Sequence, residues 1–81
     1  MRDPHFFTEL YWFICVVELG SYSAAAEQAG VAKSSLSRRI RKLEERLGVQ
    51  LLSRSTRKLV MTTIGEEIYR HALDMLNAAH A

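Results

Sequence analysis

Between Ser21 and Arg54 the chain reads SYSAAAEQAGVAKSSLSRRIRKLEERLGVQLLSR, and this run leaves few folds open. Ser21 and Ser23 offer hydroxyl caps for a short helix over about 24–29, and three consecutive alanines allow a close helix crossing. Gly30 ends that helix, and Val31 can pack inward from the turn. A second helix is predicted over 33–47. Its Leu36, Ile40, Leu43 and Leu47 form one narrow apolar stripe. At about 100° per residue, Ser34, Ser37, Arg38, Arg41 and Glu45 fall on the opposite face. Gly48 closes the helix, and an arginine-bearing loop follows.

The flanking segments complete a mainly α fold. Asp3 and Pro4 suit the start of a first helix, which Gly20 ends. Phe6, Leu10, Ile14 and Val17, widened by Phe7, Phe13 and Val16, give it a broad buried stripe. Two short apolar runs, 49–53 and 59–61, flank the polar tip Arg54-Ser55-Thr56-Arg57-Lys58 and predict a small two-stranded wing over about 49–61. Thr62 or Thr63 can cap a last helix over about 63–80, and Thr63-x-x-Glu66 matches a capping box. That helix would be about 27 Å long. Ile64, Ile68, Ala72, Met75, Leu76 and Ala79 give it more apolar surface than a three-helix core needs, so the surplus is read as a dimer contact. The expected architecture is a winged helix-turn-helix, three core helices plus a two-stranded wing, over 1–61, with a long linker and dimerisation helix over 62–81.

Charge is distributed unevenly. Residues 33–58 hold nine lysines and arginines against two glutamates, whereas the rest holds two arginines against seven acidic residues. A polyanion is the natural partner of such a cationic half. A basic helix face can be merely solvated. Here the glutamates sit only at the C-terminal end of the helix, so the face is not a lattice of paired charges. Short serines mixed with long donors are also what a helix needs to approach base edges in the major groove. Lys33, Ser34, Ser37, Arg38 and Arg41 are therefore the candidate readout residues. Ser21 and Ser23, at a helix N-terminus, can serve as caps and as phosphate contacts. Arg54, Arg57 and Lys58 on the wing suit phosphate or a narrow minor groove.

Other chemistries find little support. His5, His71 and His80 are scattered without partners at ligand spacing, so no metal is expected. Cys15 lies in an apolar run, cannot form an internal disulfide, and fits a reducing cytoplasm. No serine has an adjacent base, no carboxylate pair is placed for acid–base work, and no glycine-rich phosphate loop is present. Neither catalysis nor a cofactor is expected, nor a signal peptide or membrane span. Two rival readings are a protein-docking winged helix and a charge-only nucleoid or membrane-surface binder. The mixed serine and arginine face argues against both.

Several segments in their order carry a resemblance: Gly20-Ser21-Tyr22-Ser23-Ala24-Ala25-Ala26, Leu36-Ser37-Arg38-Arg39-Ile40, Leu43-Glu44-Glu45-Arg46-Leu47-Gly48-Val49, Leu51-Leu52-Ser53-Arg54 and Thr62-x-x-Gly65. Over about residues 7–76 the chain resembles the N-terminal DNA-binding domain of LysR-type transcriptional regulators. The resemblance implies a homodimer formed by antiparallel pairing of the last helix, and an interrupted palindromic operator in double-stranded DNA. It also implies a tetrameric full-length protein that answers a small-molecule coinducer through a separate C-terminal domain, making this chain a fragment. Carried over by position, DNA contacts fall on Ser21, Ser23, Lys33, Ser34, Ser37, Arg38, Arg54 and Arg57. Three positions depart from the family pattern. Lys33 replaces a common Gln and favours guanine or phosphate over adenine. Ala32 replaces a capping Ser, and Ser34 a frequent Pro, which together predict a late or frayed start to the helix.

Overall fold

The computed structural model describes residues 5–53 and 59–80, with side chains to residue 78. Four helices follow in order: α1 (Phe6–Leu19), α2 (Tyr22–Ala29), α3 (Lys33–Leu47) and α4 (Thr63–His80). α1, α2 and α3 pack on one another in all three pairings, and α4 packs on α1. Leu10, Phe13, Ile14 and Val16 of α1 meet Ala25 and Ala26 of α2 and Leu36, Ile40 and Leu43 of α3 in one core. The alanines let α2 lie close, as their spacing suggests. Leu51, Leu52 and Ala72 close the core from the chain that follows.

Helix ends explain the differences from expectation. α2 begins at Tyr22, two residues early, because the Ala24 N–H donates to the Ser21 hydroxyl at 3.2 Å. Ser21 is thus the cap and Ser23 lies within the first turn. Gly30 adopts φ +72°, a region that favours glycine. There its N–H reaches back to the Glu27 carbonyl, and the Val31 N–H reaches the Ala26 carbonyl at 3.0 Å. This turn separates α2 from α3. α3 starts at Lys33 and not later, although Ala32 supplies no side-chain cap. The buried stripe holds the helix in place without one. Asp3 and Pro4 lie outside the described residues, and α1 opens after His5, whose carbonyl accepts the Glu9 N–H.

The two expected wing strands reduce, among the described residues, to one antiparallel bridge between Leu52 and Met61. Two hydrogen bonds flank it, Ser53 N–H to the Val60 carbonyl at 2.8 Å and Thr62 N–H to the Leu51 carbonyl at 2.9 Å. The capping box at Thr63 does not form. Instead the Thr62 hydroxyl accepts the Gly65 N–H at 3.0 Å and donates to the Gln50 carbonyl, tying α4 to the root of the wing.

The apolar stripe of α4 divides between two uses. Ala72, expected at a dimer contact, is only 2% exposed and belongs to the chain's own core, so it has no surface left for a partner. Ile68 and Leu76 are half-buried against that core. Tyr69 sets its ring edge-on to Phe13 and donates its hydroxyl to the Glu18 carboxylate at 3.2 Å. Burial first, and then that carboxylate, push the Tyr69 phenol above its usual range. Ile64 and Met75, 37% and 41% exposed, point away from the core. The Ala79 side chain lies outside the described residues.

Candidate nucleic-acid interface

α3 is held by one face and offers the other. Leu36, Ile40 and Leu43 are fully buried. The opposite side carries Ser34, Arg38 and Arg41, all exposed, with Ser37 half-buried at the margin and Lys33 exposed at the N-terminal tip of the helix. Ser34, Ser37, Arg38 and Arg41, with Glu45 further along, are the residues the spacing predicts for this face, and Lys33 joins them from the first turn of the helix. Ser21 is half-buried and occupied as the α2 cap, while Ser23 is exposed on the first turn of α2. Arg54, Arg57 and Lys58 lie outside the described residues.

The structure sorts the remaining charges of α3. Arg46 turns towards α1 and pairs with Glu9, a carboxylate only 2% exposed. Arg39 lies over the ring of Trp12, its guanidinium carbon 5.4 Å from the ring centre. Glu44, 8% exposed, folds under the helix end. Its Oε2 accepts the N–H groups of Leu51 at 2.7 Å and Leu52 at 3.2 Å. Three roles were therefore missed by counting charges. A signal existed for two of them. Glu44 stands four residues after Ile40, and Glu9 four before Phe13, so each carboxylate interrupts an apolar stripe. Such a charge must find a partner inside.

Among the described residues no His, Cys, Asp and Glu are grouped as a metal site, and no helix is long and apolar enough to cross a membrane.

A family profile for bacterial regulatory helix-turn-helix proteins of the lysR family matches residues 7–66. The chain belongs to the LysR family. CrgA of Neisseria meningitidis serogroup B, an HTH-type transcriptional regulator, is 50% identical over 68 residues, covering 84% of this chain and 23% of that protein. The probable regulator LtrA of Klebsiella pneumoniae is 46% identical over 71 residues, 88% of this chain and 23% of its own length. The LysR domain described here thus spans about a quarter of these curated relatives. Among solved structures, the BenM DNA-binding domain in complex with the catB site 1 DNA is similar with a TM-score of 0.88 and 38% identity. The match covers 91% of this chain and 80% of that one. The winged helix-turn-helix of the LysR family is accordingly the fold of this chain. Its Thr62-x-x-Gly65 segment gains a physical meaning. Thr62 caps α4, and Gly65 leaves room for the Leu51 carbonyl beneath it.

Proposed function

We propose that this chain is a sequence-specific double-stranded DNA-binding module of a cytoplasmic transcriptional regulator, with no catalytic role. The observation that carries the reading is the outward face of α3, where Ser34, Arg38 and Arg41 stand exposed, with Lys33 at the helix tip, while Leu36, Ile40 and Leu43 on the other face are fully buried. A rigidly backed helix of this kind enters the major groove, about 12 Å wide, as a unit. The similarity to BenM in its DNA complexes supports it. In this reading α3 reads bases, Ser21 and Ser23 face one phosphate strand, and Arg54, Arg57 and Lys58 on the wing meet backbone or minor groove.

The unit acts as a homodimer. Residues 1–61 form the DNA-binding part and 62–81 the dimer helix. Ile64 and Met75 provide the exposed apolar contact, with Ile68 and Leu76 beside them and Ala79 further along. Two-fold symmetry then calls for an interrupted palindrome with half-sites one or more helical turns apart. In the full-length protein, tetramer assembly and coinducer binding belong to other parts of the chain.

Selection of bound sites from a random duplex library with the purified 81-residue chain tests the reading. Enrichment of a two-fold symmetric motif is expected, and binding without any enriched motif would sink it. Arg38→Ala is expected to cost roughly 1–3 kcal/mol on the selected site and to relax preference at one position. An equal loss on random DNA would reduce Arg38 to a phosphate contact. Met75→Asp places a charge in the dimer contact and should yield a folded monomer in analytical ultracentrifugation. A variant that still sediments as a dimer removes Met75 from the interface.

A further inference from the structure

A second basic surface lies on the flank of α3, beside the readout face. A cleft between α3 and the start of α1 is lined by Arg38, Arg39, Lys42 and Arg46 together with His5 and Glu9. The one carboxylate in it, Glu9, is buried and engaged by Arg46, so the cleft keeps a cationic excess. Two of its side chains are fixed before any ligand arrives. Arg39 is held over the Trp12 ring, and Arg46 is anchored on Glu9. A guanidinium held by a ring on one side can still offer its N–H fork to an anion, and that fork matches two oxygens of a phosphate.

Position decides which anion. At about 100° per residue, Lys42, Arg46 and Arg39 lie in that order about a fifth to somewhat over a third of a turn around α3 from the centre of the Ser34, Arg38 and Arg41 face. A helix about 10–12 Å across fills a major groove about 12 Å wide. With one face on the bases, its flanks therefore meet the two phosphate walls. α2, with Ser21 and Ser23, attends one flank, and this cleft occupies the other. Arg38 belongs to both the cleft and the readout face, so the two surfaces are continuous.

We propose that the cleft cradles a backbone phosphate of duplex DNA, on the strand opposite the one at α2, with Arg39 and Lys42 as the contacting groups; the assignment rests on the DNA-binding reading above. Arg46 adds to the field from its anchored position. A contact of this type carries no base information and strengthens all sequences alike.

The test is the salt dependence of binding by the wild-type chain, Arg39→Gln, Lys42→Gln and the double variant, on the selected site and on a random duplex. Each single change is expected to make the log–log salt slope shallower by about 0.9 and the double change by about twice that, equally on both duplexes. Lys42→Gln leaves the Arg39–Trp12 contact untouched, so its loss cannot arise from refolding around Arg39. Variant slopes equal to wild type would overturn the cradle alone and leave an acidic protein partner as the occupant to seek. A wild-type chain that binds no duplex at all would overturn the DNA-binding reading, and the cradle with it.

Discussion

Gly65→Ala is expected to lower the stability of the chain by about 3 kcal/mol, at the upper end of the roughly 1–3 kcal/mol typical of overpacking. A Cβ at this position would lie 2.1 Å from the Leu51 carbonyl oxygen and 2.9 Å from its carbonyl carbon. Both are backbone atoms, so no rotamer change relieves the clash. The Leu51 peptide cannot swing away either. Its carbonyl accepts the Thr62 N–H, and the Leu52 N–H of the same peptide and the Leu51 N–H of the one before are both held by Glu44. The first turn of α4 must lift instead, and this strains the Tyr69–Phe13 contact and the burial of Ala72. For a domain of this size, about 3 kcal/mol corresponds to a fall in Tm of roughly 12–24 °C. Calorimetry reads it directly. A Tm within about 4 °C of wild type would mean that α4 is seated without this close approach. The displaced helix also carries Ile64 and Met75, so under the proposed dimer reading the variant should select palindromes with altered half-site spacing.

Glu44→Ala is expected to cost about 2–4 kcal/mol, because two buried backbone N–H groups lose their acceptor at roughly 1–3 kcal/mol each with some relaxation. The carboxylate holds Leu51 and Leu52 side by side, and both leucines are fully buried. Removing it frees the root of the wing as well as the end of α3. Glu44→Gln keeps one oxygen acceptor but loses the charge assistance, so its cost should be clearly smaller. Urea denaturation of the three proteins gives the comparison. If Ala and Gln variants both fall within about 0.5 kcal/mol of wild type, as ordinary surface substitutions do, the carboxylate is not what fastens this segment. Amide exchange at Leu51 and Leu52 should rise in Glu44→Ala well before exchange in the α1 core.

How much of this was legible in the sequence differs from element to element. The Leu36, Ile40, Leu43 and Leu47 stripe placed α3 at its observed bounds, and the same spacing assigned Ser34, Arg38 and Arg41 to the outer face. Gly20, Gly30 and Gly48 marked three helix ends correctly. These are local matters, settled by helix geometry and by the few residues that tolerate a left-handed cap. The start of α2 was misplaced because Ser21 and Ser23 are both good caps, and only the Ala24 hydrogen bond chooses between them. The α4 cap was ambiguous between Thr62 and Thr63 for the same reason. The extent of the wing pairing was not legible, since strand pairing depends on a partner segment whose register a short run does not specify; among the described residues it is the Leu52–Met61 bridge.

By itself the sequence determined the helix count, the stripe that buries one side of α3 and the cationic character of residues 33–58, from which the expectation of a polyanionic partner came. These follow from spacing and charge, which act over one or two turns. The tertiary structure alone decided which charges remain outward. Arg46 and Glu9 stand 37 residues apart, Arg39 and Trp12 come from different helices, and Glu44 reaches a backbone that has left its own helix. It also decided that Ala72 serves the core while Met75 faces out, although both lie on one stripe. A helix presents a continuous face, and only the neighbour packed against it sets where burial stops.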